Sequence, residues 1–100
     1  MAASHALSEL QIQIERTLQQ QLASIQQQAL RIEALTYERD RARLAWHQAH
    51  QQLEQGVVGP QDAEQLERIA EGAQLELDAA IVDYHYQVSL LLQAPGELVR

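Results

Sequence analysis

Within a chain of 100 residues, the residues that break helices gather in one interior place: Gln52-Leu53-Glu54-Gln55-Gly56-Val57-Val58-Gly59-Pro60-Gln61-Asp62. Gly56 suits the position just past a helix end, because without a Cβ it enters the left-handed region at no steric cost. Pro60 suits the first turn of a following helix, where its missing N–H would have no partner. Asp62 and Glu64 then fall in that first turn, facing the positive end of the helix dipole. The flanking segments are rich in Gln, Ala, Leu and Glu, with apolar residues three and four apart. The expected fold is all-α: a long antiparallel two-helix coiled-coil hairpin. One helix is expected over about 6–55, a turn over about 56–60 and a second helix over about 61–93, so that residues 1–100 form a single α-hairpin.

In the first arm, Leu7, Leu10, Ile14, Leu18, Leu22, Ile25, Ala29, Ile32, Leu35, Ala42, Trp46, Ala49 and Leu53 follow the spacing of a coiled-coil seam. Arg39 interrupts that seam while Tyr37 and Leu44 lie off it, so an irregular register is expected there. Gln19-Gln20-Gln21 and Gln26-Gln27-Gln28 keep helix propensity and read as the polar face. In the second arm, Leu66, Ala70, Ala73, Leu77, Ala80, Tyr84, Val88 and Leu91 keep the period, small residues alternating with large ones. Pro95-Gly96 is expected to end it.

At 1.5 Å per residue the arms would reach roughly 75 Å and roughly 50 Å. Residue 93 would lie near residue 23, leaving Leu7, Leu10, Ile14 and Leu18 without an intrachain partner. Apolar stripes left bare in this way mark an interface or a missing segment.

The charge narrows the partners. The formal net charge is −7 and every basic residue is Arg. Nucleic-acid phosphates and anionic membrane surfaces should repel such a chain. From residue 62 to 83 the only basic residue is Arg68, so the returning arm is acidic and the outgoing arm nearly balanced. Without cysteine, disulfides and thiolate metal sites are out of reach. No apolar run approaches the roughly 20 residues that span a bilayer. Met1-Ala2-Ala3-Ser4-His5 lacks the basic start and apolar stretch of a signal peptide.

Two stretches carry a resemblance. The first is Leu44-Ala45-Trp46-His47, followed by the tip Leu53-Glu54-Gln55-Gly56-Val57-Val58-Gly59-Pro60-Gln61-Asp62. The second is Ala80-Ile81-Val82-Asp83-Tyr84-His85-Tyr86-Gln87-Val88-Ser89-Leu90-Leu91-Leu92-Gln93-Ala94-Pro95-Gly96-Glu97-Leu98. From about Arg39 to Leu98 the chain resembles the TolC-like outer-membrane efflux family, specifically the C-terminal helical hairpin of its periplasmic tunnel. That family shows a glycine-led tip, an acidic residue past it, and an Ala-x-x-Asp-Tyr … Gly-x-Leu ending. This sequence departs from it at Leu53, where a tyrosine is frequent, at Gly59, where Ser or Thr is usual, and at Gln65, where a second acid is common.

The resemblance implies a passive conduit in a tripartite export system, an efflux or type I secretion channel, in which protomers associate as a trimer. Gly56, Val57, Val58, Gly59 and Pro60 would then be the hairpin tip that meets a periplasmic adaptor protein serving an inner-membrane pump. Asp62 would line the tunnel constriction, and Asp83 and Tyr84 would be helix-end packing residues. The family's barrel strands, first repeat and signal sequence are not in this sequence, so a fragment or partial repeat of a larger tunnel-forming protein is expected. Contact with membrane would then come only through the missing barrel segments. The location implied is the outer membrane and periplasm, or the cytoplasm for a free-standing chain.

Two other readings stay open. The adaptor proteins of the same pumps carry a similar hairpin with a Gly-Val-Val-like tip, and there the returning helix should give way to an extended segment. A free-standing coiled-coil scaffold, associating through Leu7 to Leu22, is the third. His47 and His50 stand i,i+3 with Glu54 four residues on, but no further metal ligand has suitable spacing. Arg39, Arg41 and Arg43, interleaved with Glu38 and Asp40, read as a salt-bridged helix surface. His85 between Tyr84 and Tyr86 reads as packing. There is no phosphate loop and no nucleophile with a base, so neither catalysis nor a cofactor is expected.

Overall fold

The computed structural model describes the backbone of residues 2–99 and the side-chain surroundings of residues 4–93. Helix α1 runs Ala2–Glu54 and helix α2 runs Pro60–Val99. They fold back on each other into a rod of 82 × 21 × 14 Å, with no strand among the described residues. The expected all-α hairpin is the fold.

The second helix is longer than its sequence suggests. Pro95 and Gly96 do not end it; its backbone stays helical to Val99. A proline ring holds φ near −65°, which is a helical value, so Pro95 removes one hydrogen bond and crowds a carbonyl without forbidding the path. The side chains of the ending from Ala94 onward lie outside those described. The alignment of the two arms differs as well. Ser24 Oγ donates to Gln87 Oε1 at 3.3 Å, so Gln93 lies level with about residue 18 rather than residue 23.

Burial is modest because each helix has a single partner. The buried residues are Leu35, Ala49, Ala63, Ala70, Leu77 and Ala80, none of them polar. Leu35, Leu77 and Ala80 form the central cluster, with Ile32 and Ile81 packed against it. Towards the tip the buried residues are alanines, which let the backbones approach while Trp46, Leu53 and Leu66 close the flanks half-buried. Every seam residue expected on the second arm is buried or half-buried.

On the first arm the seam needs correcting in two places. Arg39 does not interrupt it. The packed face runs on through Leu35, Arg39, Ala42, Trp46, Ala49 and Leu53, with Arg39 half-buried. Its methylene stem can cover apolar surface while its guanidinium reaches out to Asp40 at 2.9 Å. Towards the base, Gln21 and Gln28 are half-buried on the packed face, whereas Leu22 is exposed. The glutamine tracts are therefore not wholly a polar face. Leu7, Leu10, Ile14 and Leu18 are all exposed.

Gln28 pays for its position, since its Oε1 is buried with no hydrogen-bond partner. Gln28→Leu removes that desolvated oxygen and adds apolar burial. We expect a stabilisation of about 1–2 kcal/mol, read as a higher urea midpoint. A lower midpoint would mean that the amide is needed there.

Candidate functional site

The tip is closed by backbone hydrogen bonds. Gly56 has φ +76°, the left-handed conformation expected of it. Its N–H donates to the Leu53 carbonyl at 3.1 Å, and the Val57 N–H donates to the Gln52 carbonyl at 2.8 Å. These are the paired bonds of a Schellman motif, which satisfies carbonyls that α1 would otherwise leave open. Helix α2 starts at Pro60, and its first bond runs from the Ala63 N–H to the Gly59 carbonyl at 3.4 Å. Gly59 is thus the N-cap, without a side chain to accept from the first turn. Asp62 is the acidic residue of that turn, and it is exposed.

The reversal leaves Val57 68% exposed at the end of the rod and Val58 half-buried beside it. A Cβ built on Gly56 or Gly59 would meet nothing within 4 Å, so the surface of the tip is open on both sides. Gly59→Ser would supply the missing cap acceptor. We expect it to raise stability by about 0.5–1 kcal/mol, measured as the shift in thermal midpoint.

The other sequence-derived residues lie elsewhere. Asp83 and Tyr84 are more than 20 positions up α2, roughly 30 Å from the tip at the helical rise. Tyr84 is half-buried on the packed face, edge-on to the His85 ring at 5.8 Å. Asp83 is exposed and lines a small recess with Gln28, Arg31 and Ala80. His50 Nε2 lies 3.5 Å from Glu54 Oε1, while the His47 ring lies against Trp46 at 4.8 Å. No three of His, Cys, Asp and Glu converge as metal ligands among the described residues.

The arginine cluster is only partly an ion-paired surface. Arg39 bonds Asp40, Arg41 lies over the Tyr37 ring at 5.7 Å, and Arg43 donates across the hairpin to Gln74 Oε1 at 3.1 Å. Gln74 passes the link on, donating to Asp78 Oδ1 at 2.9 Å.

Two features were not anticipated. A groove of about 220 Å³ lies between the helices, lined by Arg43, Trp46, Glu67, Ala70, Glu71 and Gln74. It comes from the large Trp46 sharing a level with the small Ala70, which is visible only once the two arms are aligned. The second is a pair of exposed apolar stripes on the outer sides of the hairpin: Leu30, Tyr37 and Leu44 on α1, and Leu75 and Val82 on α2. Among the described residues, no helix is long and apolar enough to cross a membrane. No family model, curated protein or solved structure matches this chain.

Proposed function

We propose that this chain serves as a helical hairpin of a periplasmic tunnel, of the kind found in outer-membrane efflux or type I secretion channels. The observation that carries this reading is the tip: a compact reversal at the end of an 82 Å rod, with Val57 exposed and both glycines unobstructed. Such a rod can form part of a conduit wall while its end meets a second protein. In this reading Gly56 to Pro60 touch the hairpin of a periplasmic adaptor, itself coupled to an inner-membrane pump. Asp62, exposed just past the tip, faces the constriction. Asp83 and Tyr84 belong to the opposite part of the wall, with Tyr84 packing between the helices. Transport is passive, and the chain acts in an oligomer.

The alternative of an adaptor hairpin expects the chain to become extended after about residue 93. The unbroken run of α2 to Val99 favours the tunnel hairpin over it.

The test is site-specific cross-linking. A photoreactive residue is placed at Val57 or at Tyr37, and the chain is co-expressed in the periplasm with an adaptor of the same genome. The expected result is a cross-link to the adaptor from Val57 and none from Tyr37. If the Val57 variant never reaches the adaptor, the conduit reading is wrong.

A further inference from the structure

The groove beside Trp46 exists because of a mismatch in size. Ala70, 8% exposed, offers almost no side chain where α1 carries its bulkiest residue, and about 220 Å³ stays open between the helices. Its lining is of two kinds. Trp46 and Ala70 are apolar and at least half-buried, whereas Arg43, Glu67, Glu71 and Gln74 bring polar groups to it.

Those polar groups differ in what they have left to offer. Gln74 uses both ends of its amide, accepting from Arg43 and donating to Asp78. Arg43 is turned towards that same amide. Glu67 and Glu71 have neither an ion pair nor a hydrogen bond among the described residues. Arg68, although it stands between them in sequence, does not line the groove. Position separates the charges as well. Glu67 lies seven residues nearer the tip than Gln74, about 10 Å of helix, with Glu71 between. That distance is about one Debye length at ordinary salt, so a positive charge beside Glu67 feels its carboxylate far more than it feels Arg43.

We infer that this groove binds a small organic cation, a quaternary ammonium on a short apolar body, its positive head held between the Trp46 ring and the carboxylates of Glu67 and Glu71. An indole is the strongest aromatic partner for such a head. A quaternary ammonium is weakly hydrated and has no N–H to satisfy, so it enters an apolar groove at little cost, and its methyl groups cover Trp46 and Ala70. An inorganic cation would keep its water and gain nothing from either side chain. An anion would meet two carboxylates. This binding goes beyond the conduit reading and does not rest on it.

Trp46 is the only tryptophan in the chain, so its fluorescence reports on the groove directly. The full-length chain is titrated at constant ionic strength with choline, and separately with its neutral carbon analogue, in which a tert-butyl group replaces the trimethylammonium. Choline should give a saturable change in emission in the millimolar range, and the analogue should bind about two- to fivefold more weakly. Glu67→Gln with Glu71→Gln should weaken choline binding by about two- to tenfold. Glu33→Gln with Glu76→Gln makes the same change in net charge at exposed positions outside the groove, and should leave choline binding as it was. Circular dichroism should show the same helicity in both double variants. A response that does not saturate, equal binding of the neutral analogue, or a groove pair whose loss matters no more than the control pair's would overturn the inference. None of these outcomes bears on the cross-linking of Val57 to an adaptor, which tests the conduit alone.

Discussion

Leu77→Ala is expected to cost the hairpin about 2–5 kcal/mol, more than any other single truncation. Leu77 is 3% exposed, in the cluster of buried residues that it forms with Leu35 and Ala80. On the tip side of that cluster the buried residues are alanines, which contribute little area each. On the base side Ile25, Tyr84, Val88 and Leu91 are only half-buried and share the packed face with Gln21, Ser24, Gln28 and Gln87. Neither flank can take over what Leu77 supplies. Urea unfolding followed by far-UV circular dichroism measures the loss. Leu75→Ala, two positions earlier and facing away from α1, is the matched comparison. In dilute monomer it should change stability by no more than about 0.5 kcal/mol. Equal losses at the two positions would show that the packed face of α2 is not the one described.

The second large effect concerns the tip. Gly56→Val combined with Pro60→Ala should destabilise the reversal by about 1–3 kcal/mol. The cost at Gly56 comes from the backbone alone. Its φ of +76° is poorly accessible to a β-branched residue, yet a Cβ there would touch nothing within 4 Å. Gly56→Asn is therefore the informative control, because asparagine tolerates the left-handed region and should lose less. Pro60→Ala adds the loss of a preset helical φ at the first position of α2. An unchanged thermal midpoint in the double variant would mean that the turn does not need this conformation.

Both expectations use features that differ in how far the sequence reveals them. Gly56 and Pro60 announce the reversal because their conformational preferences are local and need no partner. The seam of α2, from Leu66 to Leu91, is equally plain, since apolar residues at a fixed period define one face of a helix whatever lies opposite. The base of α1 was less legible. There Leu22 fits the apolar spacing as well as Gln21 does, and only the position of α2 decides that Gln21 turns inward. Arg39 misleads for a related reason: a charge reads as surface, but its long stem can line a seam while its head escapes to Asp40.

The candidate surfaces divide the same way. Local backbone chemistry in the sequence dictated the tip and its acidic neighbour Asp62, because glycine, proline and a first-turn carboxylate each act within a few residues. The sequence also determined two helices of unequal length, joined once. What it left undecided was everything that depends on relative rotation and sliding of the arms. Those include the pairing of Ser24 with Gln87, the groove beside Trp46, the unpartnered oxygen of Gln28, and the outward direction of Leu30, Tyr37, Leu44, Leu75 and Val82. A period of three and four residues fits more than one rotation of a helix rich in alanine and leucine, and packing against α2 selects which of its apolar columns is buried and which is left to meet another surface.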